Sequence, residues 1–160
     1  MRRELWAIFV AFMLALMSEL SITAVRASPL VNAEGTMTWV WVEFTPESPI
    51  HVGVNDIYIG TGKIESTGTF AGTVTDAFVE IWHKMTFLNL RDVLTFDGTV
   101  DGKKGTLTIC LVGTATLPAL EWTCHWAILG GTDDLANLAG QGSMWGTGMT
   151  LEYSGMIEFE

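Results

Sequence analysis

The strongest constraint on this chain is a period-two alternation of apolar and polar residues, which runs through most of the sequence after residue 35. The alternating stretches are rich in Thr, Val, Ile, Phe and Trp, and Gly, Asp or Pro interrupts them at short intervals. Successive side chains of a strand point to opposite faces, so this pattern predicts half-buried β-strands joined by tight turns. Such short connections make consecutive strands antiparallel. The sequence therefore predicts an all-β, antiparallel, eight-stranded barrel.

The pattern places strands at about residues 36–44, 54–60, 67–74, 77–87, 92–100, 105–113, 121–129 and 149–159, with a short additional one near 140–146. Asp101 and Gly102 predict a tight hairpin, and residues 113–119 are expected to connect the next two strands. Residues 130–148 are long and glycine-rich, so we expect a loop that folds across one end of the barrel.

The N-terminus has the order of a secretory signal peptide. Arg2 and Arg3 precede an apolar run, and Val25 and Ala27 supply the small residues before a cleavage site. Residues 1–27 are therefore predicted to be a signal peptide and residues 28–160 a single β-barrel domain, in a secreted or extracytoplasmic protein. A retained membrane anchor is the alternative, although the apolar run is shorter than the roughly 20 residues that span a bilayer.

The charge of the chain excludes some partners. The whole sequence has 8 basic and 18 acidic residues; removing three Arg and two Glu with the signal peptide leaves 5 and 16, a net charge of −11. Nucleic acid is therefore not expected as a partner, nor is a membrane surface after signal cleavage. Acidic residues spread over a surface are most simply explained as a means of solubility.

The two cysteines, Cys110 and Cys124, both lie in the part expected to be exported. An oxidising compartment favours their pairing. They flank residues 113–119 about symmetrically, which predicts a disulfide between adjacent strands. That pairing would put Trp122 and Trp126 on the face of Cys110, in conflict with burial of both tryptophans in the lumen, so their direction is left open.

No sequence motif indicates a metal, a cofactor or a standard catalytic site. The three histidines are on separate segments with no zinc-ligand spacing, and neither a nucleophile elbow nor a phosphate-binding loop is present. We therefore expect no metal and no cofactor.

Alternation also assigns side chains to the lumen. In residues 77–87 the apolar set includes Val79 and Ile81, and this set carries His83 inward with it. In residues 149–159 the same logic buries Tyr153 beside Leu151 and Ile157. The candidate ligand-binding residues in the lumen are His83, Tyr153, Ile81, Met85, Phe96, Ile109 and Leu151.

Several short motifs recur in order along the chain: the units at residues 70–73 and 96–99, the hairpin at 102–107, the run at 130–142 and Tyr153-Ser154-Gly155. Their order resembles an uncharacterised bacterial domain family that is grouped with the allene oxide cyclase-like barrels, which are similar in shape to dirigent proteins and lipocalins. The resemblance implies an eight-stranded barrel with a central cavity. It implies no function and no catalytic residues, because none of the cyclase motifs is matched.

Three functions fit these observations. The first is a binding module that holds a small apolar or aromatic molecule in the lumen, oriented by a few polar groups. The second is a structural or oligomeric barrel filled by its own side chains; both faces of residues 36–44 are apolar, which is consistent with a homo-oligomer. The third is a cofactor-independent cyclase or isomerase with His83 or Tyr153 as acid or base.

Overall fold

The computed structural model describes residues 29–159; the predicted signal peptide lies outside them. The strands are β1 Val31–Phe44, β2 Ile50–Val52, β3 Asn55–Gly68, β4 Phe70–His83, β5 Phe87–Val100, β6 Lys103–Thr116, β7 Glu121–Gly131, β8 Leu138–Thr147 and β9 Thr150–Phe159. A short 3₁₀ helix, Asp133–Leu135, lies between β7 and β8.

All strand pairs are antiparallel, and their order is β1-β9-β8-β7-β6-β5-β4-β3-β2. Pairing of β1 with β3 closes eight of the strands into a barrel, and β2 is an additional short strand on β3. Closure leaves the long strands without free edges, which otherwise are templates for aggregation. The predicted closed antiparallel barrel is thus confirmed.

The hairpin at Asp101 and Gly102 forms as predicted. Val100 pairs with Lys103, and both turn residues have positive φ, 50° and 78°. Two positive φ angles define a type I′ turn, whose twist matches that of the flanking strands. Asp and Gly are among the residues that adopt this conformation most readily.

The predicted disulfide is wrong. Strands β6 and β7 continue to Thr116 and Glu121, so Cys124 pairs with Gly113 and Cys110 pairs with Ala127. Cys124 thus lies three residues before Ala127, the partner of Cys110. An odd offset along a strand puts two side chains on opposite faces of the sheet. Both are free thiols. Trp122 and Trp126 share the inner face with the buried Cys124.

The expected loop at residues 130–148 is also corrected: the short strand predicted near 140–146 is present and is longer, running from Leu138 to Thr147 as β8. Its glycines obscured the alternation. Gly142 pairs with Gly155 on β9, and a Cβ atom at either position would collide with the indole ring of Trp126. These glycines therefore make space for a large aromatic side chain, and they do not mark a flexible connection.

The inward face of β4 differs from the expectation. The sequence pattern suggested two strands here, but residues 70–83 form one continuous strand, so the alternation cannot change phase within it. Val74, Asp76 and Phe78 are buried, which places Val79, Ile81 and His83 on the outer face. Met85 lies in the following turn with φ of 57° and is 59% exposed. Ile81, His83 and Met85 are thus not luminal.

One half of the barrel interior is filled by aromatic rings. The centroid of Phe70 lies 5.3 Å from that of Tyr153, 5.6 Å from Trp126 and 5.9 Å from Phe96. The interior between these rings and Leu94 leaves no space for a water molecule. This half is a packed core, so any ligand space must lie in the other half.

Candidate functional site

The other half of the barrel contains a cavity of about 310 Å³. Its mouth is marked by Phe44 and Met149, which line it and are also exposed. The remaining lining residues are Trp39, Val42, Asp76, Phe78, Glu80, Trp82, Leu90, Asp92, Leu111, Leu120, Trp122, Cys124, Gly148 and Leu151. Most of this surface is apolar and aromatic, which is the usual character of small-molecule sites.

Three carboxyl groups interrupt the apolar wall. Asp76 and Glu80 flank Phe78 on the inner face of β4, and Asp92 of β5 pairs directly with Phe78. Asp92 is therefore a diagonal neighbour of both β4 carboxyls, at a backbone separation of roughly 7–8 Å. The three acids surround one phenyl ring on a single patch of the cavity wall.

Indole N–H groups hold two of these carboxyls. Trp39 Nε1 donates to Oδ2 of Asp76 at 2.9 Å, and Trp82 Nε1 donates to Oε2 of Glu80 at 2.8 Å. Asp76 and Asp92 are only 2% and 4% exposed. The Oδ1 atom of each is buried and has no hydrogen-bond partner among the described residues. Unpaired buried oxygens of this kind are rare in folded proteins.

Burial disfavours the charged form of these groups. Desolvation, together with the nearby Asp76 and Glu80, raises the pKa of Asp92 to about 9. Desolvation also raises the pKa of Asp76 to about 6, opposed by the hydrogen bond from Trp39, and it raises the pKa of Glu80. The Cys124 thiol, buried nearby, has its pKa raised to about 12. Near neutral pH, Asp92 is thus a protonated acid beside a largely ionised Asp76.

Tyr153 faces inward as predicted but lies in the packed half. Its hydroxyl accepts a hydrogen bond from the backbone N–H of Phe70 at 2.8 Å and donates one to the carbonyl of Thr67 at 2.9 Å. Both bonds tie β9 to the turn between β3 and β4. The hydroxyl is therefore occupied by the backbone and does not enter the cavity.

His83 lies outside the barrel, held by polar neighbours. The side-chain amide N–H of Asn89 donates to its Nε2 at 2.8 Å, and its Nδ1 lies 3.1 Å from Oδ1 of Asn55. Its ring stacks on Phe87 with centroids 4.4 Å apart. These contacts hold the imidazole outside the lumen, away from the cavity.

Of the candidate residues, only Leu151 lines the cavity, whereas Phe96 and Ile109 belong to the packed core. The sequence interpretation missed Asp76, Glu80 and Asp92 because it assigned acidic residues to the outer face. The sequence of β4 nevertheless contains a signal for the inward direction of Asp76. Phe70 and Val74 lie on one face of the strand and Thr73 and Thr75 on the other, and continuing this alternation puts Asp76 on the face of Val74.

In the described part of the chain no three or more His, Cys, Asp or Glu side chains are arranged to hold a metal ion. No helix among residues 29–159 has the length and hydrophobicity needed to cross a membrane.

The fold and cavity together define a closed antiparallel β-barrel with a small pocket in one half of its lumen. Among solved structures, it is similar to the crystal structure of a protein of unknown function from the DUF3224 family of Shewanella oneidensis MR-1. The TM-score is 0.64 at 14% identity, covering 82% of this chain and 98% of that chain. Identity this low shows a shared fold alone. The sequence matches no protein-family profile and no curated protein.

Proposed function

We propose that the protein is a secreted barrel that binds a compact small molecule with a largely apolar or aromatic body. The observation that carries this proposal is the luminal cavity of about 310 Å³, with Trp39, Trp82 and Trp122 in its wall. Pockets that take small ligands span about 300–1,000 Å³, so this cavity suits a guest at the small end of that range.

The carboxyl groups support a binding site over a purely structural void. A barrel of eight strands can fill its interior with side chains, as the packed half of this one does. An unsatisfied buried polar group costs about 1–3 kcal/mol, and an apolar residue at Asp76 or Asp92 would avoid that cost. Local features that reduce stability are concentrated at functional sites.

A second candidate is a cofactor-independent isomerase or cyclase, and one observation favours it. Asp92 and Asp76, with pKa values of about 9 and about 6, would supply an acid and a base on the same wall. His83 and Tyr153, to which the sequence assigned these roles, lie outside the cavity. In this candidate function the two aspartates replace them.

The proposal also includes export of the protein and kinship with a known group of barrels. The order of charged, apolar and small residues at the N-terminus supports a signal peptide, and hence an extracytoplasmic barrel. The repeated strand motifs support kinship with the allene oxide cyclase-like barrels. Ligand binding is proposed independently of both points, from the cavity and the carboxyl groups in its wall.

Blocking the cavity tests the proposal. Leu111 lines it, so Leu111→Phe adds volume inside, whereas Leu129→Phe makes the same change on a side chain that is 64% exposed. We expect small aromatic compounds to change tryptophan fluorescence in the wild type and in Leu129→Phe, with binding at least about tenfold weaker in Leu111→Phe. Equal binding by all three proteins, or no binding by any, would contradict the proposal. Turnover of a bound compound that Asp92→Asn abolishes would establish the isomerase instead.

A further inference from the structure

Two buried carboxylate oxygens in the cavity wall lack hydrogen-bond donors. They are Oδ1 of Asp76 and Oδ1 of Asp92, on neighbouring strands and at least 96% buried. In the ionised form, carboxylate oxygens accept hydrogen bonds only, so their partner must donate. A cation bound beside them favours that form, so Asp92, which is protonated near neutral pH without a guest, releases its proton as a cationic guest binds. Both residues line the same cavity, so a guest there lies beside both carboxyl groups.

The charge of the wall points to a cationic donor. Among the described lining residues, the ionisable acids are Asp76, Glu80, Asp92 and the Cys124 thiol, and none is lysine, arginine or histidine. Ionising two of these neighbouring carboxyls together is opposed by their mutual repulsion in a medium of low dielectric constant, which contributes to the raised pKa of Asp92. A cation placed between them replaces that repulsion with attraction.

The aromatic wall fits the same kind of guest. Tryptophan attracts a cation more strongly than any other aromatic side chain, and three tryptophans line the cavity. The rest of the wall is aliphatic or phenyl surface, which favours an apolar body. Acid groups within an aromatic, apolar wall are complementary to an amine with a hydrophobic substituent.

From these contacts we infer that the guest is a protonated primary or secondary amine with a compact apolar or aromatic body, whose N–H groups donate to Asp76 and Asp92. This inference rests on the proposed luminal binding function and specifies its ligand class. A divalent metal ion is the less suitable cation, because the carboxyls are not arranged as metal ligands in the described part of the chain. A quaternary ammonium has no N–H to donate.

Three probes of matched shape separate charge from size: phenethylammonium, uncharged propylbenzene and anionic 3-phenylpropanoate. Their dissociation constants are to be measured by calorimetry near neutral pH. We expect phenethylammonium to bind at least about tenfold more tightly than propylbenzene, since a hydrogen-bonded charge contributes that much or more. 3-Phenylpropanoate should bind most weakly. A fourth probe, trimethylated phenethylammonium, keeps the charge without N–H groups and should bind more weakly than the primary amine.

Matched variants test the named residues. Asp76→Asn and Asp92→Asn remove each acid, and Asp97→Asn makes the same change on the exposed outer face of β5. We expect each luminal variant to weaken phenethylammonium binding about tenfold or more and to leave propylbenzene binding within about twofold. Asp97→Asn should match the wild type for both probes. Thermal unfolding of each variant verifies that it is folded.

The possible results separate a failure of the amine inference from a failure of the luminal binding proposal. If propylbenzene binds as tightly as phenethylammonium, the amine inference is overturned and luminal binding stands. If the trimethylated probe binds as well as the primary amine, the assignment of N–H donors is overturned. If no probe binds, the amine inference and the luminal binding proposal are both rejected.

Discussion

The indole N–H of Trp39 on β1 donates a hydrogen bond of 2.9 Å to Asp76 on β4, passing over β3 at Gly62. A Cβ atom at Gly62 would lie 3.2 Å from Cδ1 of Trp39, so the absence of a side chain there gives the indole its place. This bond connects two strands that are not paired with each other, and it fixes one oxygen of Asp76 while the other is buried without a hydrogen-bond partner among the described residues.

Removing that donor should destabilise the protein in a pH-dependent way. A hydrogen bond to a charged group contributes about 1.5–3 kcal/mol, and we expect Trp39→Phe to lower the free energy of unfolding by about that much near pH 8. The loss should be smaller near pH 5, below the Asp76 pKa of about 6, where the carboxyl is neutral. Urea unfolding at both pH values measures the difference. Trp145→Phe, at an exposed position on β8, is the control. An equal loss at both pH values in Trp39→Phe would contradict the role of the bond.

The buried aspartates should make the barrel less stable as pH rises. In the folded state their pKa values are about 6 and about 9, whereas an unfolded aspartate has a pKa of about 3.9. The folded state thus binds more protons than the unfolded state between about pH 4 and pH 9, and the free energy of unfolding falls with pH by up to about 1.4 kcal/mol per unit for each such carboxyl. The other titratable side chains of this inner region are Glu80, Tyr58 and Cys124.

Substituting Asp92 tests this pH dependence. Asp92→Asn should flatten the curve and be more stable than the wild type near pH 9, because it removes a carboxyl that resists ionisation. The exposed variant Asp97→Asn should keep the wild-type slope. Thermal unfolding across the range gives the comparison. A wild-type stability that rises from pH 4 to pH 9 would be inconsistent with these buried acids.

Tyr153 should prove to be a structural residue. Tyr153→Phe leaves the N–H of Phe70 without its acceptor in a buried place, which costs about 1–3 kcal/mol. Ligand binding should be unchanged, since the hydroxyl does not line the cavity. Tyr58→Phe, for whose hydroxyl the described residues provide no hydrogen bond, is the matched control for stability. A loss of binding without a loss of stability in Tyr153→Phe would place this hydroxyl in the ligand site.

The two thiols should react separately. Cys124 is buried with its pKa raised to about 12, and Cys110 is partly exposed on the outer face. Because the thiolate is the reactive form, iodoacetamide should modify Cys110 in the folded protein and leave Cys124 intact. Peptide mass spectrometry after unfolding identifies the labelled site. Recovery of a Cys110–Cys124 disulfide would contradict the register of β6 and β7.

The barrel could be predicted from the sequence because its evidence is repeated in every strand. Alternation and turn residues such as Asp101 and Gly102 recur along the chain, so an error in one strand does not change the fold class. β8 was predicted only in part, as a short strand near residues 140–146, because its glycines hid the alternation. Gly142 of β8 makes space for the indole of Trp126, which belongs to β7. The sequence of β8 alone therefore does not show why a glycine is needed there.

The inward placement of Ile81, His83 and Met85 was wrong for a related physical reason, whereas the other four lumen candidates face inward as predicted. The rule that apolar residues face inward is sound for a core, and it selected Val79 and Ile81 over Asp76 and Glu80 in β4. The structure has the opposite phase, so Asp76 and Glu80 face inward beside Phe78, and Val79 and Ile81 face outward. Inward-facing carboxyl groups on β4 line the cavity. They can be recognised in the sequence only when the alternation is followed along the whole strand.

The most direct test of the account is a crystal structure of the barrel grown with saturating phenethylammonium. The account predicts the phenyl ring inside the cavity among Trp39, Trp82 and Trp122, with the ammonium nitrogen within about 3 Å of Oδ1 of Asp76 or Asp92. An empty cavity at saturation, or the amine bound only on the outer surface, would contradict it.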